Sequence, residues 1–168
     1  VSGDGAPATT RLDGRGLRIA IVVSRWHDPI TSALLAGAER ALAAARVEDP
    51  GVVRVPGAFE LPVVAKALAA QRYDGVVALG VVIRGGTPHF DYVCSAATDG
   101  LTRVALETGV PIGFGLLTCD TEEQALDRCG LPDSSEDKGR EAAMAAVETA
   151  LVLRRVRRGD CHEEADQR

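Results

Sequence analysis

The run Ala78-Leu79-Gly80-Val81-Val82-Ile83-Arg84-Gly85-Gly86-Thr87-Pro88-His89-Phe90 passes from valine-rich apolar sequence into two glycines, a hydroxyl, a proline and a histidine. Extended back to Val76, its first half has the continuous apolar character of a strand buried on both faces. The glycines stop that strand abruptly, and strand ends of this kind in an open α/β sheet are where ligands bind. Backbone N–H groups at paired glycines can approach an anion closely, because no Cβ stands in the way. A histidine beside them can take up and release a proton near neutral pH. Read alone, the run describes a phosphate-sized pocket with a proton-transfer group next to it, and it points to an enzyme.

Outward from this strand the pattern alternates. Leu17 to Ser24 reads as a buried strand, and the turn around Trp26-His27-Asp28-Pro29 opens a helix with Pro29 in its first turn. Ile30, Ala33, Leu34, Gly37, Ala38, Ala41, Leu42 and Ala45 fall on one helical stripe. Val52 to Val55 is a second strand, Pro56 to Glu60 a loop, and Leu61-Pro62 opens a helix reaching about Gln71. A further helix is expected from about Asp91 to Thr108, stopped by Gly109, and a fourth strand from Pro111 to Thr118. Asp120-Thr121-Glu122-Glu123 resembles a capping box for a short helix that ends near Cys129-Gly130. A polar loop, Leu131 to Asp137, precedes a last helix from Lys138 to Arg157, with Ala143, Ala146, Val147, Ala150 and Leu151 inward. Strands apolar throughout and alternating with helices predict an α/β chain. The expected form is a three-layer αβα sandwich, flavodoxin-like, around a central four-stranded parallel sheet. The expected organisation is a flexible arm over 1–16, one domain over 17–158 and a polar tail over 159–168.

The bulk numbers fit that reading. The chain has 168 residues, enough for one domain with a real core, and a net charge of −5. No basic stripe with interleaved aromatics is present, so nucleic acid is not an expected partner. No apolar run is long enough to span a bilayer and no signal-peptide pattern is seen, so neither a membrane partner nor export is expected, and the cytoplasm is. Cys94, Cys119, Cys129 and Cys161 form no CxxC pair and no ligand spacing with histidine. Structural zinc and a disulfide framework are therefore poorly supported, and reduced thiols are the simplest reading.

Three loops at the carboxyl ends of strands should meet at one mouth: Trp26-His27, Ala58-Phe59-Glu60, and Gly85-Gly86-Thr87-Pro88-His89. An aromatic there can stack on a planar heterocycle, and a carboxylate can accept hydrogen bonds from hydroxyls. Either ring alone reads as a lid on the core. Trp26 and Phe59 together, beside a glycine pair and a histidine, read as a ligand site. His89 fits general acid–base work, whereas His27 reads as structural. Phe114 lies in the first half of the fourth strand, away from the mouth, so it can reach a pocket only in a neighbouring subunit. Arg128 and Lys138 flank the polar loop, where a solvated helix end explains them equally well. Gly113-Phe114-Gly115 lacks the following helix of a dinucleotide fingerprint, and no Walker lysine follows the glycine pair.

Taken together, Val55-Pro56-Gly57-Ala58-Phe59-Glu60, Gly80 to Phe90, Thr121-Glu122-Glu123-Gln124-Ala125 with Arg128, and Lys138-Gly139 closely resemble the 6,7-dimethyl-8-ribityllumazine synthases of riboflavin biosynthesis. The resemblance covers about Leu17 to Val156. It implies condensation of 5-amino-6-(D-ribitylamino)uracil with 3,4-dihydroxy-2-butanone 4-phosphate, releasing phosphate and water, without metal or redox cofactor. It further implies that Trp26 stacks on the pyrimidine, that Ala58, Phe59 and Glu60 hold the ribityl chain and ring edge, and that Val81, Val82 and Ile83 shape the slot. Gly85, Gly86 and Thr87 would receive the phosphate, His89 would shuttle protons, and Phe114, Arg128 and Lys138 would come from the adjacent subunit of a pentameric ring. Family members that close into sixty-subunit icosahedral shells carry a short loop with glycine and lysine between the last two helices. Gly130 to Asp137 is longer and acidic here, so a free homopentamer is expected. Other readings of the scaffold are a non-catalytic lumazine- or flavin-binding protein, which would need neither His89 nor Arg128, and an archaeal-type riboflavin synthase.

Overall fold

The computed structural model describes residues 11–161. Along them run β1 (Ile19–Ser24), α1 (Asp28–Ala44), β2 (Gly51–Val55), a 3-10 turn (Ala58–Glu60), α2 (Leu61–Ala69), β3 (Gly75–Ile83), α3 (His89–Thr108), β4 (Ile112–Cys119), α4 (Glu122–Leu126) and α5 (Lys138–Arg157). All strand pairs are parallel and the order is β2-β1-β3-β4. Strand residues alternate between the two faces, as the two-residue period of a strand requires. Ile19, Ile21 and Val23 with Val77, Leu79 and Val81 pack under α1 and α5, against Leu34, Leu42, Ala143 and Val147. Ala20 and Val22 with Val76 and Ala78 pack against Leu61, Ala65 and Leu68 of α2 and Leu101 of α3. Both faces of the sheet are covered, which is the expected three-layer αβα sandwich with a four-stranded parallel centre.

The position of the site follows from the strand order. From β1 the chain moves to one side, to β2, and then crosses to the other, to β3. The crevice at the carboxyl ends of β1 and β3 is the switch point where such sheets take ligands.

Three local details differ from the sequence reading. The helix expected from Asp91 begins at His89, with Pro88 as its N-cap, so His89 stands on the first turn of a rigid helix rather than in a loop. The segment expected as a loop before α2 contains the 3-10 turn. The capping box lies one residue further on: the Thr121 hydroxyl accepts from the Gln124 N–H at 3.3 Å, and the Gln124 side chain accepts from the Asp120 N–H at 2.8 Å. Gly109 does stop α3, in the left-handed conformation its missing Cβ permits (φ 67°).

Part of the segment expected as an arm is packed. Leu12 lies against the core, and the Gly14 N–H donates to the Ala45 carbonyl at 2.6 Å. The remainder of that expectation, residues 1–10, and residues 162–168 of the expected tail lie outside the described residues. Among the described residues, no helix is long and apolar enough to cross a membrane.

Candidate active site

At the carboxyl end of β1 the backbone turns sharply. The Arg25 N–H donates to the Val55 carbonyl at 3.0 Å, which ties the turn to β2. His27 then takes the left-handed conformation (φ 55°) as N-cap of α1, and its carbonyl accepts from the Ile30 and Thr31 N–H groups. This turn leaves the Trp26 ring on the surface, 67% exposed, tilted by 49° to the His27 ring. From the other side comes the 3-10 turn after β2. A Cβ on Gly57 would stand 3.2 Å from Glu60 Oε2 and 3.3 Å from Trp26 Cδ1. The bare glycine thus lets a carboxylate and an indole lie side by side.

These groups share one cavity of about 280 Å³. Its floor is Val81, Val82 and Ile83 at the end of β3, its walls Trp26, Ala58, Phe59 and Glu60, and His89 closes it from α3. Phe59 is 66% exposed, an open aromatic face rather than a core residue. His27, Gly57 and Val93 line it as well. Sequence reasoning missed these three, and His27, read as structural, is placed in the lining. Its only signal was its place beside Trp26; the left-handed turn that aims it leaves no pattern in a sequence.

Gly85, Gly86 and Thr87 form the exposed loop between that floor and His89. A Cβ on either glycine would meet nothing within 4 Å, and neither has positive φ. Among the described residues, none of the three backbone N–H groups of Gly85, Gly86 and Thr87 donates to a backbone or side-chain acceptor. Free amides running into the start of a helix are suited to an anion.

Phe114, Arg128 and Lys138 are not in this cavity. Phe114 pairs with Ala78, well before the end of β3, and is 47% exposed, on the outer surface. It lines a separate, apolar cleft of about 370 Å³ with Leu101, Leu106 and Ile112. Arg128 and Lys138 are brought to each other instead: the Lys138 N–H donates to the Arg128 carbonyl at 3.0 Å as the polar loop folds back. Arg128 Nη1 donates to the Gln124 carbonyl at 2.9 Å, and its Nε lies 3.7 Å from Glu136. Lys138 pairs with Glu136 and, at 2.8 Å, with Glu141. Burial pulls the Lys138 ammonium pKa down, but the hydrogen bonds to Glu136 and Glu141 outweigh it, so the net shift is upward and the cation persists.

The groups at hand define the chemistry. Burial pushes up the pKa of both the Cys94 and the Cys119 thiol, so neither is set up as a nucleophile. Among the described residues no cluster of three or more His, Cys, Asp or Glu is arranged to hold a metal ion. What remains is an aromatic-walled slot suited to a planar ring, with one carboxylate and two histidines in its lining, flanked by a loop of free amides suited to an anion.

Comparison with known proteins identifies the family. A family model described as 6,7-dimethyl-8-ribityllumazine synthase matches residues 16–154. A 6,7-dimethyl-8-ribityllumazine synthase of Streptomyces coelicolor is 60% identical over 156 residues, covering 93% of this chain and 97% of the relative. Proteins of the same name from Kineococcus radiotolerans (64% identical, covering 93% of this chain and 96% of the relative) and Frankia casuarinae (65%, covering 92% and 96%) are similar over nearly their whole length.

Proposed function

This chain belongs to the 6,7-dimethyl-8-ribityllumazine synthase family, and on that premise we propose that its β1–β3 cavity holds the pyrimidine while the Gly85-Gly86-Thr87 loop receives the phosphate. The chain is a transferase of riboflavin biosynthesis. It condenses 5-amino-6-(D-ribitylamino)uracil with 3,4-dihydroxy-2-butanone 4-phosphate to give 6,7-dimethyl-8-ribityllumazine, phosphate and water. One observation carries the assignment of residues: Trp26, Phe59, Glu60 and His89 converge on a single cavity at the switch point of the sheet, with a free-amide loop on its rim.

In this reading Trp26 stacks on the pyrimidine, and Ala58, Phe59 and Glu60 hold the ribityl chain and ring edge, with Glu60 accepting its hydroxyls. Val81, Val82 and Ile83 set the slot's depth. The 5-amino group adds to the ketone, giving a carbinolamine that loses water to an imine. Phosphate then leaves with its bonding electron pair after proton loss from the carbon skeleton. Tautomerisation leaves a carbonyl on the adjacent carbon, and the ribityl-bearing nitrogen adds to it and closes the ring with loss of a second water. Amine and ketone condense readily, so orientation of two bound substrates supplies most of the rate. His89 moves the protons between these steps.

His89 is exposed on the cavity rim, where water can substitute for it. His89→Ala should therefore lower kcat only about tenfold, below the span of roughly 10²–10⁴ typical of a sequestered acid–base group. Stopped-flow lumazine fluorescence checks this, and complete loss of turnover with intact pyrimidine binding would contradict it.

The same reading takes Phe114, Arg128 and Lys138 from an adjacent copy in a homopentamer, working in the cytoplasm. It is supported by their position outside the chain's own cavity and by the acidic Gly130–Asp137 loop. Lumazine fluorescence from both substrates, against a protein-free control, tests the function. A rate equal to background with pyrimidine still bound would favour a non-catalytic binding protein. Sedimentation equilibrium at five chain masses would support the ring, and a monomer would overturn it.

A further inference from the structure

The Arg84 guanidinium sits at the foot of the glycine loop, between two carboxylates and an aromatic face. Its Nε donates to Asp120 Oδ1 at 2.7 Å, and its Nη1 to the Asp91 carboxylate at 3.3 and 3.4 Å. Its Cζ lies 4.2 Å from the centre of the Phe90 ring, within cation–π range. Its own N–H donates to the Cys119 carbonyl at 2.9 Å. Arg84 begins the loop, Asp91 lies in the first turn of α3 just beyond it, and Asp120 directly follows β4. One side chain thus joins both ends of a loop in which, among the described residues, the Gly85, Gly86 and Thr87 amides make no backbone bond to the neighbouring strand.

The electrostatics run the same way. Asp91 and Asp120 flank a segment whose free amides suit an anion, and two unneutralised carboxylates there would repel a phosphate dianion. Arg84 offsets both charges at once. Lysine could not do the same, because a flat fork with several N–H donors that also stacks on a ring is particular to arginine. We propose that Arg84 is a positioning residue for the phosphate-bearing substrate, fixing the Gly85-Gly86-Thr87 amides and neutralising Asp91 and Asp120. This rests on the reading of that loop as the phosphate receiver.

The three charged side chains are each around half exposed, so the ion pairs add little to global stability. Their effect falls on the loop. The test is lumazine formation by Arg84→Ala, Arg84→Lys and Gly86→Pro, each substrate varied in turn, with thermal denaturation alongside. Arg84→Ala should raise KM for the dihydroxybutanone phosphate about tenfold, a loss on the scale of one charge-assisted hydrogen bond. Both kcat and the pyrimidine KM should stay within about twofold, with Tm almost unmoved. Arg84→Lys should recover only part of the phosphate KM. An unchanged phosphate KM in Arg84→Ala overturns the proposal, as does an equal rise for both substrates with a falling Tm, which marks a merely structural role. Gly86→Pro removes one loop amide and separates the two readings. If it raises the phosphate KM while Arg84→Ala does not, the loop stands and Arg84 falls. If it leaves that KM unchanged, both fall.

Discussion

Gly139→Ala should destabilise the folded chain by about 3 kcal/mol or more, the upper end of what forced overpacking costs. Gly139 is the second residue of α5 and is buried where that helix meets α1. A Cβ there would stand 2.7 Å from the Leu34 carbonyl carbon and closer still to its oxygen. The obstacle is backbone in the middle of a helix, so no side chain can swing away to relieve it. Alanine's higher helix propensity returns at most about 1 kcal/mol, which does not reverse the sign. The same corner is tight on all sides. The Asp137 carboxylate caps α5 by accepting from the Arg140 N–H at 2.9 Å, pairs with Arg40 at 3.3 Å, and fits only because Gly37 and Gly130 carry no Cβ. Urea denaturation of Gly139→Ala against Gly85→Ala gives the comparison, since Gly85 faces open space and its change should stay within about 0.5 kcal/mol. A loss under about 1 kcal/mol at Gly139 would mean that α1 and α5 part freely, against the close packing seen here.

The residues that could be read from sequence share one property: their role is set by neighbours close along the chain. Valine-rich runs became β1 and β3 because both faces are covered. Pro29, Gly109 and Thr121 act within one turn of where they stand. The three mouth loops were legible because a parallel sheet delivers every carboxyl end to the same side. His89 was read as a residue of the mouth, where it lies, but not as helix, because Pro88 reads as a loop residue although a proline also suits a helix start. Arg84, by contrast, takes its meaning from Asp120, 36 residues on, and from Asp91 after a bend of the chain. Gly57 matters only because Trp26 and Glu60 arrive from different strands, and Gly139 only because Leu34 lies across a helix crossing. No period or motif encodes such meetings. Phe114, Arg128 and Lys138 form a third kind: the resemblance named them, but one chain alone does not bring them to its cavity.

Arg128→Ala should raise KM for the phosphate-bearing substrate about a hundredfold while pyrimidine affinity stays within about twofold. The magnitude is that of losing one or two charge-assisted hydrogen bonds, each on the order of 1.5–3 kcal/mol, at about 1.4 kcal/mol per tenfold. Arg128 is held for such a role: Nη1 is anchored to the Gln124 carbonyl and Asp127 and Glu136 flank it at 3.8 and 3.7 Å, so the fork is oriented before ligand arrives. An equal loss for both substrates would argue against the assignment. The sharper question is which cavity it serves, and mixing answers it. If a site joins Trp26 of one chain to Arg128 of the next, a ring assembled from equal amounts of Trp26→Ala and Arg128→Ala chains contains whole sites. They arise wherever an intact Trp26 faces an intact Arg128, roughly one half times one half, or about a quarter of the sites. Assayed with both substrates well below KM, where the loss of either contact slows turnover, the mixture should then reach about a quarter of the normal rate on co-assembly. If Arg128 serves its own chain, every site in the mixture carries one defect, and the mixed rings stay as poor as their parts. Recovery therefore tests the shared site by connectivity, independently of how strongly either residue binds.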